Sequence, residues 1–548
     1  MDAEREAAAA LAAFGRGCGE ALLLLGLIRS AQQRSADAAG LLAEAVAILP
    51  PAPEAWYALG GQQARLGRFA DAEQSFRRVL ELAPQHGETR MGLAACLLEL
   101  GRADEAERVL RQALQNRHHP MVIAGLAQNL ALAQGRQSKH EDALASLELA
   151  EQNNPRQKLH GLRSEILVGL QRFDEALAAL RAQLDITPSD AALHKQYNDL
   201  LYMLGRDRES EFLASYDRAP KSEALQVAKA GFLLLTRRDA QAHAIFDRIL
   251  AANPAHEGAA MGAANALDRM RRHDEAEILL ERALTQHPDS ATLLNALAAT
   301  ALFRNDPAKA AAMAQRAVAI SPFYQYALAN LGTAWRMMDD DRDELLNGYD
   351  QYVRVFDLEP PQGFADMASF NAALLAELDG LHPPTREFLD QSLRGGTQTR
   401  GSLFNARHPL VQRLKARIDQ AVGRYIVELQ GGASHPMLAR RGRGFAYSGS
   451  WSSRLRDCGF HVNHIHPEGW ISSCYYAGVP EVVLDQDDKQ GWLKFGEPGF
   501  DHGLGWRRAV QPAAGRLVLF PSYMWHGTIA FRAPSPRTTI AFDVVPSR

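Results

Sequence analysis

A proline returns at a nearly fixed interval through the first three hundred or so residues. Pro50, Pro84, Pro120, Pro155, Pro188, Pro220, Pro254, Pro288 and Pro322 are separated by 32 to 36 residues, and the last three intervals are 34 each. A period of this length constrains the chain strongly, because each unit can bury its apolar face only by stacking on its neighbours. A phrase recurs in step with the prolines. Leu66-Gly67-Arg68-Phe69-Ala70-Asp71-Ala72-Glu73 comes back as Leu100-Gly101-Arg102-Ala103-Asp104-Glu105-Ala106-Glu107, and more loosely around Arg172 and Arg272. The Gly-Arg step predicts a helix end, since Gly takes the left-handed cap cheaply. The Ala after the acidic pair opens the buried face of a second helix, and the Pro stops it before the next unit. Small residues such as Ala58, Gly92 and Ala95 would let the paired helices approach closely.

This pattern resembles the tetratricopeptide repeat, over about residues 40–345 and eight or nine units, with degenerate stretches at 210–222 and 237–242. The resemblance implies an all-α superhelix for residues 1–345, with a concave surface suited to an extended peptide or a partner protein. A rigid spacer or a homodimerisation platform is the other use of such an array.

Composition narrows the classes of partner. Hydrophobic residues make up 47% of the 548 and charged residues 23%, which describes a soluble globular chain of several domains. A net charge of −4 gives no electrostatic footprint for nucleic acid. Cys18, Cys96, Cys458 and Cys474 form no Cys-x-x-Cys pair, so a reducing cytoplasm is expected. The acidic start Met-Asp-Ala-Glu-Arg is unlike a secretory leader. The apolar run 21–28 is far shorter than the roughly 20 residues that span a bilayer, so no membrane association is expected.

The pattern changes near Asp339. Residues 346–364 read as a linker broken by Pro360-Pro361, and 366–430 read as helical around a polar, Gly-rich loop at 393–399. Beyond 440 the chain becomes β-like, with strands expected at 445–455, 470–478, 492–495, 507–511, 516–520, 528–531 and 538–545. Many short strands between Gly, Pro and Asp turns suggest a sandwich or small barrel.

The chemistry concentrates there. His464-Ile465-His466 offers two imidazoles at the i, i+2 spacing, and His526 follows an apolar strand and a Pro-containing turn. A His pair with a distant third His is a donor set for a transition metal that leaves positions open. Arg537 lies eleven residues beyond His526 on another strand. Its planar fork could grip the distal carboxylate of a 2-oxo diacid, which argues for iron over zinc. Serine-hydrolase and P-loop motifs are absent from the sequence.

The segments Gly395-Gly396-Thr397-Gln398-Thr399, His464-Ile465-His466-Pro467, Trp470-Ile471-Ser472-Ser473-Cys474-Tyr475-Tyr476, Gly515-Arg516-Leu517-Val518-Leu519-Phe520-Pro521-Ser522, Trp525-His526-Gly527 and Arg537-Thr538-Thr539-Ile540-Ala541-Phe542 resemble the 2-oxoglutarate/Fe(II) oxygenase family often fused to such repeats. The resemblance covers residues 365–548. It implies a double-stranded β-helix (a cupin-like jelly-roll barrel) with flanking helices. It further implies Fe(II), 2-oxoglutarate and O2 as cofactor and co-substrates, and hydroxylation as the reaction. Carried over, His464 and His526 are metal ligands and Arg537 anchors 2-oxoglutarate, with Tyr476 and Ser472 beside it. The departure is at His466, where the wider superfamily has Asp or Glu. Three registers stay open: all of His464, His466 and His526; a His461/Asn463 register with Asn as a weak or absent ligand; or a carboxylate such as Glu468 folding in, or one position left open to water or halide. His502, Tyr475, Trp470, Trp525 and the charged tip 485–489 are expected to pack or face solvent. The function implied is a dioxygenase acting on a protein or peptide held by the repeats. The alternatives are a non-catalytic scaffold and a small-molecule oxygenase with dimerising repeats.

Overall fold

The computed structural model describes residues 7, 9, 17–208, 210–219, 221–383, 385–400, 402–406, 408–429, 431–432, 434–442, 444–500 and 503–547. Pro220, His502 and the first residues of the acidic start lie outside these. Contacts divide the chain into two compact units, Met1–Gln183 and Leu184–Arg548.

The first unit is made of helix pairs, including Pro53–Arg65 with Phe69–Leu82, Gly87–Glu99 with Ala103–Leu114, and Pro120–Arg136 with His140–Asn153. The Ala of the repeated acidic phrase is fully buried at both Ala72 and Ala106. Gly92 is needed for the close approach, since a Cβ there would sit 2.8 Å from the Phe76 ring. Ala95, by contrast, faces solvent, and its neighbour Ala94 makes the contact. The turn between paired helices is left-handed at Gly67 and Gly101, with φ of 72° and 76°. Arg68 N–H then donates to Gln63 O and Arg102 N–H to Leu97 O, the 6→1 bond of a Schellman cap. Ser138 and Gln171 adopt the same φ, at 59° and 57°, so this capping geometry holds even where Gly is missing.

The second unit continues the helix pairs to Gln325–Met337 and then carries the β-domain. In the degenerate stretch a 3-10 turn, Ala214–Arg218, stands where a second helix is expected. The β-domain has nine strands among the described residues: β1 Arg354–Asp357, β2 Leu393–Gln398, β3 Phe445–His461, β4 Ile471–Gly478, β5 Leu493–Phe495, β6 Arg508–Val510, β7 Arg516–Pro521, β8 His526–Thr528 and β9 Arg537–Pro546. They form antiparallel sheets of six, in the order β1-β7-β4-β9-β3-β2, and three, in the order β6-β5-β8.

Two strands arise where none was expected. β1 falls inside the segment 346–364, where Tyr349, Tyr352 and Val353 are buried in the sheet domain's core, so this segment is built in and is not a free linker. The stretch expected as a Gly-rich loop is β2, paired with β3 through a register shift between Arg394 and Gly396. Over the six-stranded sheet lies the helix Pro409–Glu428, whose Val411, Leu414, Ile418, Val422 and Tyr425 are buried at helical spacing. The same core takes in Leu328 of the last long repeat helix.

Candidate metal centre and co-substrate pocket

Three imidazoles meet between the sheets. His464 and His466 lie on the irregular segment between β3 and β4, and His526 opens β8. An isolated antiparallel bridge joins His464 to His526, each N–H donating to the other's carbonyl at 2.9 and 3.0 Å. The nitrogens of His464, His466 and His526 lie within 4.8 Å of one another.

The tautomers follow from the outer nitrogens. His464 Nδ1 donates to Val462 O at 2.8 Å and His526 Nδ1 to Met524 O at 3.0 Å. His466 Nδ1 donates to both carboxylate oxygens of Asp543, at 2.6 and 2.7 Å. With Nδ1 carrying the hydrogen, neutral His464 and His526 each present a bare Nε2. The Nε2 atoms of His464 and His466 are 3.2 Å apart. Burial pushes the His464 imidazole down to about 3, helped by His466, and holds His526 well below its usual value. Both rings are therefore neutral at physiological pH, the state in which imidazole ligates metal.

Beside the cluster is a cavity of about 640 Å3. Arg537, Thr539, Ala541 and Asp543, alternate residues of β9, all line it. Arg537 is only 1% exposed, lies 4.9 Å from the centre of the Tyr476 ring, and has no hydrogen-bond acceptor for Nε or Nη2. The Tyr476 hydroxyl also lacks a partner, and burial keeps it protonated. Both interact with the Cys474 thiol, a weak acceptor. A buried guanidinium without a counter-ion is costly, and an anion with two oxygens supplies what it lacks.

The remaining candidates are placed differently, and His461, Glu468 and Cys474 of them also line this cavity. Ser472 does not line the cavity; its hydroxyl donates to Asp543 Oδ1 at 2.7 Å and lies 2.9 Å from Ser522 Oγ. Asn463 donates to Pro498 O at 3.2 Å, and His461 Nδ1 lies 2.9 Å from the Ser392 hydroxyl, which reaches His464 Nε2 at 3.1 Å. Glu468 is exposed at the cavity's rim. Tyr475 and Trp470 are packing residues that donate to Asn371 Oδ1 and Met437 O. Cys458 is exposed, Cys474 lines the cavity, and all four cysteines are free thiols. The sequence reading passed over Asp543, Ser392, Leu235 and Tyr326. Only Asp543 had a signal, since stepping by two along β9 from Arg537 reaches it.

Fold and site together define a repeat protein joined to an antiparallel β-domain in which three clustered histidines and a buried arginine line one cavity. Residues 449–543 match the family described as "Putative 2OG-Fe(II) oxygenase". Residues 63–128, 129–191 and 233–301 match tetratricopeptide repeat families. The chain thus carries tetratricopeptide repeats and a domain of that oxygenase family, as its motifs suggested. No curated protein matches it.

Among solved structures, human IFIT1 is 16% identical, aligned over 56% of this chain and 73% of that one with a TM-score of 0.34. Yeast Tom70 is 10% identical over 59% and 89%, with a TM-score of 0.30. A thermophilic tetratricopeptide protein of Thermus thermophilus is 24% identical over 34% and 100%, with a TM-score of 0.27. Among the described residues, no helix is long and apolar enough to cross a membrane.

Proposed function

We propose that the chain is an Fe(II)- and 2-oxoglutarate-dependent dioxygenase that hydroxylates a protein or peptide. The observation that carries this reading is one cavity holding both the convergent Nε2 atoms and the anion-seeking Arg537. The two antiparallel sheets are read as a double-stranded β-helix. His464, His466 and His526 would hold the metal, with their rings fixed by the acceptors on Nδ1. Arg537 would take the distal carboxylate of 2-oxoglutarate through Nε and Nη2, and the protonated Tyr476 hydroxyl would donate to it. Iron with 2-oxoglutarate and O2 supplies the oxidising power to hydroxylate a C–H bond, with succinate and carbon dioxide as co-products. The buried wall around Arg537 keeps water from competing for the guanidinium.

The repeats support a protein or peptide as the substrate. Leu235 and Tyr326, on the repeat helices Glu223–Leu235 and Gln325–Met337, line the same cavity as the histidines. Repeats of this kind mediate protein interactions. A peptide lying along them would reach the metal with one side chain.

An anaerobic Fe(II) titration with and without 2-oxoglutarate tests the reading. The expected result is a weak visible charge-transfer band that needs both components and is lost in His526→Ala. A folded protein that gives no band with both present would overturn it.

A further inference from the structure

The donor set has lost a charge. Three neutral imidazoles leave a divalent cation at +2, where the two-His, one-carboxylate arrangement leaves it at +1. The structure holds a carboxylate one hydrogen bond away, and it treats His466 unlike the other two rings.

His464 and His526 each donate Nδ1–H to the carbonyl two residues earlier in their own segment, Val462 O and Met524 O. These acceptors are local and uncharged. His466 reaches across to Asp543 on β9 and meets both of its oxygens. Asp543 is fixed in turn: it stands opposite Ser472 in the β4–β9 register and accepts from the Ser472 hydroxyl at 2.7 Å. Ser472 and Ser522 are fully buried. A carboxylate on the far nitrogen raises the basicity of a ligating imidazole and locks its orientation.

Building on the metal-site reading above, we propose that Asp543 is a positioning residue for the metal. It supplies through His466 the negative charge that a directly bound carboxylate would give. The charge is displaced outward by one imidazole, so His466 is the strongest donor of the three.

The test is Co(II) binding to the full chain under nitrogen, followed by the d–d absorption, in four proteins: wild type, Asp543→Asn, His466→Asp and the double variant. Asn keeps the shape and can still accept from Nδ1–H, so it removes charge with little change in geometry. Asp543→Asn is expected to raise the Co(II) Kd by about 10- to 100-fold, with the band shape and thermal midpoint retained. In the His466→Asp background the relaying imidazole is gone and a carboxylate is supplied directly, so Asp543→Asn is expected to change the Co(II) Kd by less than about threefold. A merely structural Asp543 would weaken binding by a similar factor in both backgrounds, and a non-additive cycle separates the two cases. Wild-type binding with a Kd changed less than twofold by Asp543→Asn, or an equal loss in the His466→Asp background, would overturn the proposal. Failure of the wild type to bind Co(II) would remove the metal-site reading itself.

Discussion

A guanidinium that is 1% exposed, with two nitrogens lacking acceptors, is poorly solvated as it stands. Arg537 therefore marks a place where an anion belongs. Lys at this position would keep the charge but lose the planar fork. Arg537→Lys is expected to weaken 2-oxoglutarate by about tenfold or more while leaving Co(II) affinity alone; calorimetry with each ligand separates the two. A second residue ties pH to stability. His382 is held between the hydroxyls of Thr397 and Ser452, both at 3.0 Å, and burial pushes it down to about 4, with Arg454 assisting. The unfolded chain takes up this proton near 6.5 and the folded chain only near 4, so stability is lost as pH falls through that window. The loss approaches roughly 3 kcal/mol at most. His382→Gln should flatten the fall in the metal-free protein's thermal midpoint between pH 6.5 and 4, a window set by the same two values. At this scale the sequence was informative where residue type and local motif carry the signal. His464, His466 and His526 stood out as a group, whereas Ser392 and Asp543 become neighbours of the cluster only through strand pairing.

Strands reveal a different limit. Six of the seven expected segments hold strands, because their β-branched and aromatic content is local information, whereas β8 meets the expected 528–531 only at Thr528. β3 runs six residues past its expected end, to His461, and carries the chain to the edge of the site. β1 and β2 were not legible for the same reason: each is extended because of a distant partner. β1 has four residues and pairs with β7, and β2 contains two glycines that fit against β3. A Cβ on Gly396 would lie 2.2 Å from Arg454 O, and Gly395 has a φ of 70°. Gly396→Ala should therefore push β2 off β3 and cost about 2 kcal/mol by the scale of overpacked contacts; chemical denaturation measures it. Because Ser392 directly precedes β2 and touches both His461 and His464, metal affinity should fall with it. The helical repeats were the most legible part, since their period repeats over hundreds of residues. The unexpected detail there is the left-handed turn at Arg271 and Asn305, with φ of 60° and 58°, where Gly would be the easier choice.

Taken as a whole, the second unit does not respect a boundary between repeats and sheet domain. Arg336 donates to Gly505 O at 2.6 Å and to Gly496 O, and Trp525 Nε1, next to the ligand candidate His526, donates to Thr333 Oγ1 at 3.2 Å. Tyr523 donates to Leu346 O at 2.7 Å from within the core. A fragment starting at residue 341 loses the Arg336 and Thr333 contacts, and Leu328 from the core, and is expected to be insoluble or molten. A fragment starting at residue 187 keeps them, and should give a cooperative thermal transition and bind Co(II). Circular dichroism on both fragments decides the matter, and a well-folded 341–548 would contradict it. The strand order adds a temporal consequence. β9, which brings Arg537 and Asp543, lies at the middle of the six-stranded sheet, between β4 and β3. Helix pairs made of near neighbours can form as the ribosome delivers them. The sheet must wait until residues 537–546 have emerged to fill its centre. A nascent chain would thus have its histidines exposed before its site is complete, so a metal would be held firmly only once β9 has emerged.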